Sequence, residues 1–431
     1  MNLIKRVWHK AYLEETQKLH RSRQALAFES VPGVAAAAWR ALILKRFRNV
    51  RPAALHFLQT ANAASGFLKV ESRVNVRSGF GAMDGALFHE STWQWQANGG
   101  APARGPLDSA RTALCELRKA AGIGPAPTYF AVIALDGDEM GKWIGGQKVQ
   151  ASESFHRDFG AALTSFGISE ARAIVQQHYG ALIYSGGDDV LAMLPADEAM
   201  SCAQALAAAF GEAIRKKASS HALPGREVPP ATVSAGIAIG HMKEPLQDIV
   251  AAAQAAEKRA KTKPLDRNAL AVTLFKRSGE IMEWGAKFDS KAFELLRTFR
   301  GHYRSKLDKP EETPLISGRF PHQLASLLQP YQEFDLKGNF PDPNQPKPIE
   351  ASFIPVVMKE FEHVLSRQGK KLKEEKPEAA QALVNGAEAY LTELARRDSP
   401  DNSESSKLAG SLRDFYNLFL LEAFLQRQQD T

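Results

Sequence analysis

The sequence predicts an α+β protein in which one ferredoxin-like domain lies between two mainly helical regions. Residues 126–285 alternate short apolar runs with amphipathic segments, whereas residues 1–125 and 286–431 consist mainly of helix-forming stretches. The elements of the middle region follow the order β-α-β-β-α-β, which is the ferredoxin-like, palm-type arrangement. These observations place three regions along the chain.

Region 1–125 is predicted to be mainly helical and basic. Ala35–Phe47 and Leu107–Ala121 have helix-forming composition, while Gly79–Glu90 is typical of a loop with a short strand. Residues 1–51 contain eleven basic and three acidic side chains. Such an excess suits a polyanion such as RNA or an acidic partner surface, and a solvated helical face explains it equally well.

The middle region begins with Tyr129–Leu135, a continuous apolar run typical of a strand buried on both faces. Two further strands, 181–185 and 189–194, flank Gly186-Gly187, and we predict a two-residue hairpin turn there. The remaining predicted elements are helices at 154–166, 169–178, 197–217 and 246–261 and strands at 232–239 and 268–275.

The last region, 286–431, is predicted to be helical, with breaks at 341–348, 370–376 and 398–407. Hydrophobic residues make up 44% of the chain and charged residues 24%, as in ordinary soluble domains. No run approaches the ~20 apolar residues of a membrane span, and no signal-peptide core follows Met1. Cys115 and Cys202 form neither a disulfide framework nor a four-cysteine zinc site. We therefore expect a cytoplasmic protein without a membrane partner.

The strongest local motif is Tyr184-Ser185-Gly186-Gly187-Asp188-Asp189. Two carboxylates ~4 Å apart repel by roughly 4 kcal/mol at an effective dielectric constant of 20, and a divalent metal removes that repulsion. Oxygen ligands alone favour Mg²⁺ or Mn²⁺ over zinc. Because neighbouring side chains on a strand face opposite ways, we expect one or both of Asp188 and Asp189 to bind metal. Gly186 and Gly187 let the backbone approach a nucleotide closely.

The second motif, Asp136-Gly137-Asp138, follows the buried strand that begins at Tyr129. Asp136 is placed to face the hairpin across the sheet and to complete a two-metal site. Asp138 either adds a metal ligand or caps the following turn. Gly137, which has no side chain, lets backbone amides meet phosphate oxygens.

Several single residues allow two interpretations. Lys261, at the end of the predicted helix 246–261, is a candidate triphosphate contact or a cation that complements the helix dipole. Ser185 is a candidate for positioning the nucleobase or a metal-bound water. His89-Glu90 is similar to the start of a zinc-protease motif, but Trp93 stands where that motif needs a second histidine. His241 follows a strand and is interpreted as structural.

Four blocks of the middle region together resemble the large, polymerase-like subunit of type III CRISPR effector complexes, especially the Cmr (III-B) branch. They are YFAVIALDGDEMGKWIGG (129–146), GALIYSGGDDVLAMLP (180–195), TVSAGIAIGHMKEPL (232–246) and AEKRAK with RNALAVTLFKRSGE (256–280). The blocks come in the family's order and cover the whole middle region. The flanking regions resemble the family's helical segments more weakly.

The resemblance implies a nucleotidyltransferase that converts ATP into cyclic oligoadenylates, with Asp136, Asp188 and Asp189 as its catalytic, metal-binding residues. It also implies assembly with guide RNA, target RNA and other effector subunits in antiviral defence. The family usually begins with an HD nuclease domain, but this sequence has no His-Asp dipeptide and only about 125 residues before the palm. We therefore expect a short form without single-stranded DNA cleavage, and without the family's first palm and zinc module.

Two other functions fit parts of the sequence. A diguanylate cyclase shares the palm and a Gly-Gly-acid hairpin, but its tip usually reads Gly-Gly-acid-Glu-Phe where this chain has GGDDV at 186–190. A non-catalytic ribonucleoprotein scaffold would use the basic segment and the C-terminal helices instead. Metal-dependent ATP binding that needs Asp188 and Asp189 would distinguish an enzyme from a scaffold.

Overall fold

The computed structural model describes residues 30–64, 68, 83–94, 104–303, 313–333, 351–396 and 412–427. Most of the basic segment 1–51 lies outside these ranges. The described part of the N-terminal region is helical, and its core contains the buried side chains of Trp39, Phe57, Phe88 and Trp93. Its helices are α1 (Val31–Ala35), α2 (Ala37–Lys45), α3 (Phe47–Ala64) and α4 (Arg104–Ala121). Residues 83–94 form two short 3-10 turns rather than the predicted short strand.

One six-stranded sheet organises the middle region. Its strands are β1 (Tyr129–Gly137), β2 (Ala181–Ser185), β3 (Val190–Pro195), β4 (Val233–His241), β5 (Ala269–Phe275) and β6 (Ile281–Lys287). Their order across the sheet is β2-β3-β1-β4-β5-β6. The central strand β1 pairs antiparallel with β3 and β4, and β4 pairs in parallel with β5. The first four strands reproduce the predicted ferredoxin-like topology.

Helices cover both faces of this sheet. They are α5 (Met140–Ile144), α6 (Glu153–Ser165), α7 (Ala171–Gln177), α8 (Ala199–Ala218) and α9 (Leu246–Lys261), with one π-helical turn at Phe166–Glu170 between α6 and α7. Every residue of β4 is buried. This explains why its sequence is mostly apolar rather than alternating.

The C-terminal helices pack on β6 and share the main core of the sheet. The Asn417 side chain donates to the Glu283 carbonyl over 2.9 Å. Nε and Nη2 of Arg300 each donate over 2.7 Å to the carboxylate of the buried Glu422. The helices are α10 (Lys291–Tyr303), α11 (Phe320–Leu328), α12 (Pro330–Glu333), α13 (Ile354–Gln368), α14 (Lys370–Glu375), α15 (Pro377–Arg396) and α16 (Leu412–Arg427). Among the described residues, no helix is both long enough and apolar enough for a membrane crossing.

The fold class is confirmed as an α+β palm flanked by helices. The β6 strand was not predicted, and it spans the boundary that the sequence analysis placed after residue 285. In β6 the exposed Ile281 and Glu283 alternate with the buried Met282 and Trp284. Ile281 is apolar although it is exposed, so the sequence shows this alternation incompletely. The three-region division stays a prediction, because the C-terminal helices share the core of the sheet.

Candidate functional site

The pairing of β1 with β3 brings the predicted carboxylates together at one end of these strands. Leu135 of β1 lies opposite Val190, the first residue of β3. The next residue of β1, Asp136, therefore lies beside the loop that precedes β3 and carries Asp188 and Asp189. On its other side Asp136 pairs with Ser234 of β4. Asp136 thus comes from an inner strand of the sheet.

The hairpin that carries the other two aspartates is longer than predicted. Ser185 pairs with Val190, so four residues, Gly186 to Asp189, form the loop, and the Gly186 amide donates to the Asp189 carbonyl over 2.9 Å. Of these residues only Gly187 has a positive φ, of 103°, which a side chain rarely permits. Because Asp188 and Asp189 lie in this loop, the alternation of strand side chains does not separate them, and the predicted two-residue turn is wrong.

The three carboxylates form one acidic cluster. Asp136, Asp188 and Asp189 each offer an oxygen, and these oxygens lie within 4.8 Å of one another. Asp136 and Asp188 are half-buried, and Asp189 is exposed. A hard divalent cation prefers such a set of carboxylate oxygens. The residues present therefore fit Mg²⁺ or Mn²⁺.

Gly137 permits the close approach of β1 and the hairpin. A Cβ atom at this position would lie 3.0 Å from the Cβ of Asp188 and 2.8 Å from Cγ of Met140. The first separation is closer than most real Cβ contacts, so a larger residue would displace Asp188 from Asp136. The amide of the next residue, Asp138, donates to the Thr232 carbonyl over 2.9 Å. The geometry therefore gives Gly137 a spacing role, and its predicted phosphate contact stays a prediction.

The acidic cluster has one close cationic partner, Lys261. This residue ends α9, and its ammonium group pairs with Asp136 and also lies 2.8 Å from Oε1 of Glu257, one helical turn earlier. Its neighbour Arg259 points to β5 and β6 instead, where it donates to the Val272 carbonyl and pairs with Glu283. Complementing the helix dipole does not require the contact that Lys261 makes with Asp136. The predicted contact of Lys261 with a triphosphate stays a prediction.

Glu257 is a candidate site residue that the sequence analysis missed. Its side chain is 14% exposed, and its Oε1 lies 2.8 Å from Nζ of Lys261. The helical spacing of four residues between Glu257 and Lys261 was visible in the sequence. Its relation to the aspartates was not visible, because it depends on how α9 docks on β4.

The carboxylate of Asp138 is occupied by hydrogen bonds within the protein. Its side chain is 3% exposed and accepts three hydrogen bonds: 2.7 Å from the Ser234 hydroxyl, 2.9 Å from the Thr232 hydroxyl and 2.9 Å from the Asn268 amide. Asn268 follows Asp266 and Arg267, and all three have positive φ. The carboxylate of Asp138 thus joins β1 and β4 to the strained turn before β5. This geometry does not support the predicted ligand role of Asp138.

Ser185 lies directly beneath the hairpin loop. Its hydroxyl oxygen is buried and has no hydrogen-bond partner among the described residues. A Cβ atom on Gly167, in the π-helical turn, would lie 3.0 Å from this hydroxyl and 3.1 Å from the Gly187 amide. The π-helical turn therefore supports the hairpin from below. The role of Ser185 toward a nucleobase or water stays a prediction.

Burial makes the acidic cluster costly without a counter-ion. Desolvation raises the pKa of Asp188, and the nearby charge of Asp189 raises it further. Desolvation also raises the pKa of Asp189. The pKa of Glu257 is raised by desolvation and by the charge of Asp189, while desolvation lowers the pKa of Lys261. Burial thus destabilises the charged form of each of these groups. A bound divalent cation would stabilise the charged form of the acids.

We expect Asp189→Asn to raise the melting temperature of the metal-free protein at pH 7 and to lose this advantage as the pH falls. Desolvation holds the folded-state pKa of Asp189 above its ordinary value. The folded protein therefore binds this proton more readily than the unfolded chain, and stability from this group increases as the pH falls through the folded pKa. Melting curves in EDTA between pH 7 and pH 4 test this. An advantage of the variant that grows toward low pH would contradict it.

Comparison with known proteins agrees with this geometry. Residues 129–271, which contain the whole acidic cluster and Lys261, match the family model described as Cas10/Cmr2, second palm domain. A curated relative, the CRISPR system Cmr subunit Cmr2 of Pyrococcus furiosus, is 32% identical over 266 residues. This match covers 55% of the chain but only 28% of the length of the relative.

Solved structures give weaker matches. Csm1 of T. onnurineus is 14% identical with a TM-score of 0.41, covering 70% of this chain and 38% of that one. The GGDEF domain of DgcB from Caulobacter crescentus is 19% identical with a TM-score of 0.21, covering 37% of this chain and 82% of that one. The family model and the curated relative therefore decide the assignment. Residues 129–271 thus form a Cas10/Cmr2 second palm domain, and the chain is related to the CRISPR subunit Cmr2 over 266 residues.

Proposed function

We propose that this chain is a metal-dependent nucleotidyltransferase that joins ATP molecules into cyclic oligoadenylates within a type III CRISPR effector. The observation that supports this most directly is the convergence of Asp136, Asp188 and Asp189 within 4.8 Å, next to Lys261, in a Cas10/Cmr2 palm. ATP as the substrate and cyclic oligoadenylate as the product come from the family resemblance. The acidic cluster by itself supports nucleotidyl transfer in general.

In this proposal the three aspartates hold Mg²⁺ or Mn²⁺ at the edge of the sheet. When bound, a divalent metal activates the attacking hydroxyl and neutralises the charge that develops on the phosphates. The 3′-hydroxyl of one nucleotide attacks the α-phosphorus of the next, a 3′–5′ phosphodiester bond forms, and pyrophosphate leaves. The glycines of the hairpin, Gly186 and Gly187, leave room for the nucleotide beside the backbone.

Lys261 changes partner in this mechanism. Its ammonium group neutralises Asp136 while the acidic cluster has no other counter-ion. With a metal ion held by the aspartates, the same ammonium group would be available to the triphosphate, and Glu257 would keep it in place. A lysine acts as a compact, strongly hydrated point charge, which suits a phosphate tail that must leave as pyrophosphate.

The proposed partners are guide RNA, target RNA and the other subunits of the effector complex. They follow from homology to a Cmr subunit. Since the chain spans 28% of the length of that relative, we propose that the palm works together with further protein segments or chains. The three regions 1–125, 126–285 and 286–431 are the proposed domains, with the palm as the catalytic one.

Labelled ATP tests the proposed function. The protein alone, and the protein co-expressed with its effector subunits and supplied with target RNA, are incubated with Mg²⁺ or Mn²⁺ and either ATP or GTP. We expect oligoadenylates from ATP in the complex with target RNA. A cyclic dinucleotide from GTP would instead favour the diguanylate cyclase function. If neither nucleotide is converted while RNA is still bound, the chain acts as a scaffold and the enzyme proposal is wrong.

A further inference from the structure

A second polar cavity lies at the opposite end of β1 from the acidic cluster. It has a volume of about 420 Å³ and is formed between the N-terminal region and the palm. Its lining includes His89, Glu90, Tyr129, His241, Lys243 and Arg277. Asp136 lies seven positions after Tyr129 along β1, which corresponds to about 23 Å of strand. The cavity is therefore distinct from the acidic cluster, and its volume falls within the range of about 300–1,000 Å³ of small-molecule sites.

The charge around this cavity is positive. Lys243 and Arg277 are exposed at its rim, and neither forms an ion pair with a residue in the described ranges. The one carboxylate in the lining, that of Glu90, already pairs with Arg118. Desolvation, helped by the charges of Arg277, Lys243 and His89, lowers the pKa of His241 to about 4. A negatively charged ligand would balance this positive potential.

The two histidines add a hydrogen-bond pattern of mixed polarity. Nε2 of His89 lies 3.1 Å from the Pro32 carbonyl, so it carries the proton and donates. Nδ1 of the same ring is then an acceptor, and it is buried without a partner. In His241 the roles are reversed, because Nδ1 accepts from the Lys243 amide over 3.2 Å and Nε2 carries the proton. The cavity thus offers cationic donors and one imidazole donor.

We propose that this His89–Arg277 cavity binds a phosphate monoester, such as the 5′-phosphorylated end of a ribonucleotide. Lys243 and Arg277 bind the phosphate, with Nε2–H of His241 as a further donor. A free mononucleotide and the 5′ end of an RNA strand carry the same chemistry.

Titration calorimetry in EDTA tests this proposal, because EDTA removes divalent metal from the acidic cluster, whose carboxylates then repel phosphate. The probes are AMP, adenosine, and one trinucleotide with a 5′-phosphate or a 5′-hydroxyl. We expect AMP, the 5′-phosphorylated trinucleotide, or both to bind. Each should bind at least about tenfold more tightly than its unphosphorylated counterpart, which is adenosine for AMP and the 5′-hydroxyl trinucleotide for the phosphorylated one. Binding of AMP identifies a free nucleotide as ligand. Binding of only the phosphorylated trinucleotide identifies an RNA end.

The variant Lys243→Ala/Arg277→Ala should weaken this binding by about 10- to 100-fold, since charge-assisted bonds to phosphate are lost. Both side chains are exposed, so the fold should persist, and a melting curve verifies this. The matched control is Lys216→Ala/Lys217→Ala, which removes two exposed cations from the end of α8. The proposal is wrong if no probe binds saturably, or if both double variants bind as the wild type does. Either result leaves the proposed catalysis at the acidic cluster untouched.

Discussion

Replacing both hairpin aspartates, in Asp188→Asn/Asp189→Asn, should lower metal-dependent nucleotide turnover by about two to four orders of magnitude. The two carboxylates supply most of the oxygen ligands of the acidic cluster. Losing the metal forfeits several kcal/mol of transition-state charge stabilisation, and each 1.36 kcal/mol corresponds to about tenfold in rate. The measurement is oligoadenylate formation by the effector complex with target RNA, at fixed Mn²⁺ concentration.

The same double variant should fold and should respond differently to metal. Asparagine preserves the size of the side chains while removing charges that burial destabilises. We therefore expect its melting temperature in EDTA to equal or exceed that of the wild type. Adding Mn²⁺ should raise the melting temperature of the wild type and leave that of the variant nearly unchanged, because a ligand stabilises only the state that binds it.

A matched control separates loss of the metal site from loss of general negative charge. Glu153→Gln/Glu227→Gln removes two exposed carboxylates outside the acidic cluster. This control should keep turnover within about twofold of the wild type and keep the thermal response to Mn²⁺. If the aspartate variant still turned over ATP at the wild-type rate, the acidic cluster would not be the catalytic centre.

The sequence predicted the parts of the site that local pattern determines. The apolar run of β1 indicated a buried strand ending near Asp136, and Gly186-Gly187 indicated a hairpin next to two acids. A dipeptide marks a turn, but the length of the loop depends on which residues of β2 and β3 pair. Pairing of Ser185 with Val190 is a property of the sheet, which is why the two-residue turn was predicted wrongly.

Other features depend on contacts between elements far apart in the chain. Asp138 was a plausible ligand by its position next to Asp136, but its three donors come from residues 232, 234 and 268. Glu257 joins the site only because α9 lies against β4. Similarly, His89 and His241 meet across one cavity although 152 positions separate them along the chain. No periodicity in the sequence encodes these distances.

Gly236→Ala should be the most destabilising conservative substitution in the palm. Gly236 lies in the middle of β4, where it pairs with Ala134 of β1 and Ala271 of β5. A Cβ atom there would lie 2.1 Å from both the Ala253 carbonyl oxygen and the Glu257 amide nitrogen. These are backbone atoms of α9, so no side-chain rotation can relieve the overlap. The helix itself must move away from the sheet.

We expect this substitution to cost about 3 kcal/mol in the free energy of unfolding, which corresponds to a melting temperature lower by roughly 6–12 °C. The control is Gly160→Ala in α6, an exposed helical glycine whose added Cβ would meet nothing within 4 Å. That change should instead stabilise the protein by about 0.5–1 kcal/mol, because alanine favours the helix. Thermal melts of both variants under identical conditions make the comparison.

The effect of Gly236→Ala on catalysis shows whether the packing of α9 on β4 also positions Lys261 for the nucleotide. Displacing α9 moves both Glu257 and Lys261 away from Asp136, since both belong to the displaced helix. At a temperature where the variant is still folded, we therefore expect a higher KM for ATP, because the ammonium group of Lys261 no longer faces the triphosphate. Wild-type KM together with the expected loss of stability would mean that Lys261 does not contact the nucleotide. Wild-type stability would contradict the close packing of α9 on β4 itself.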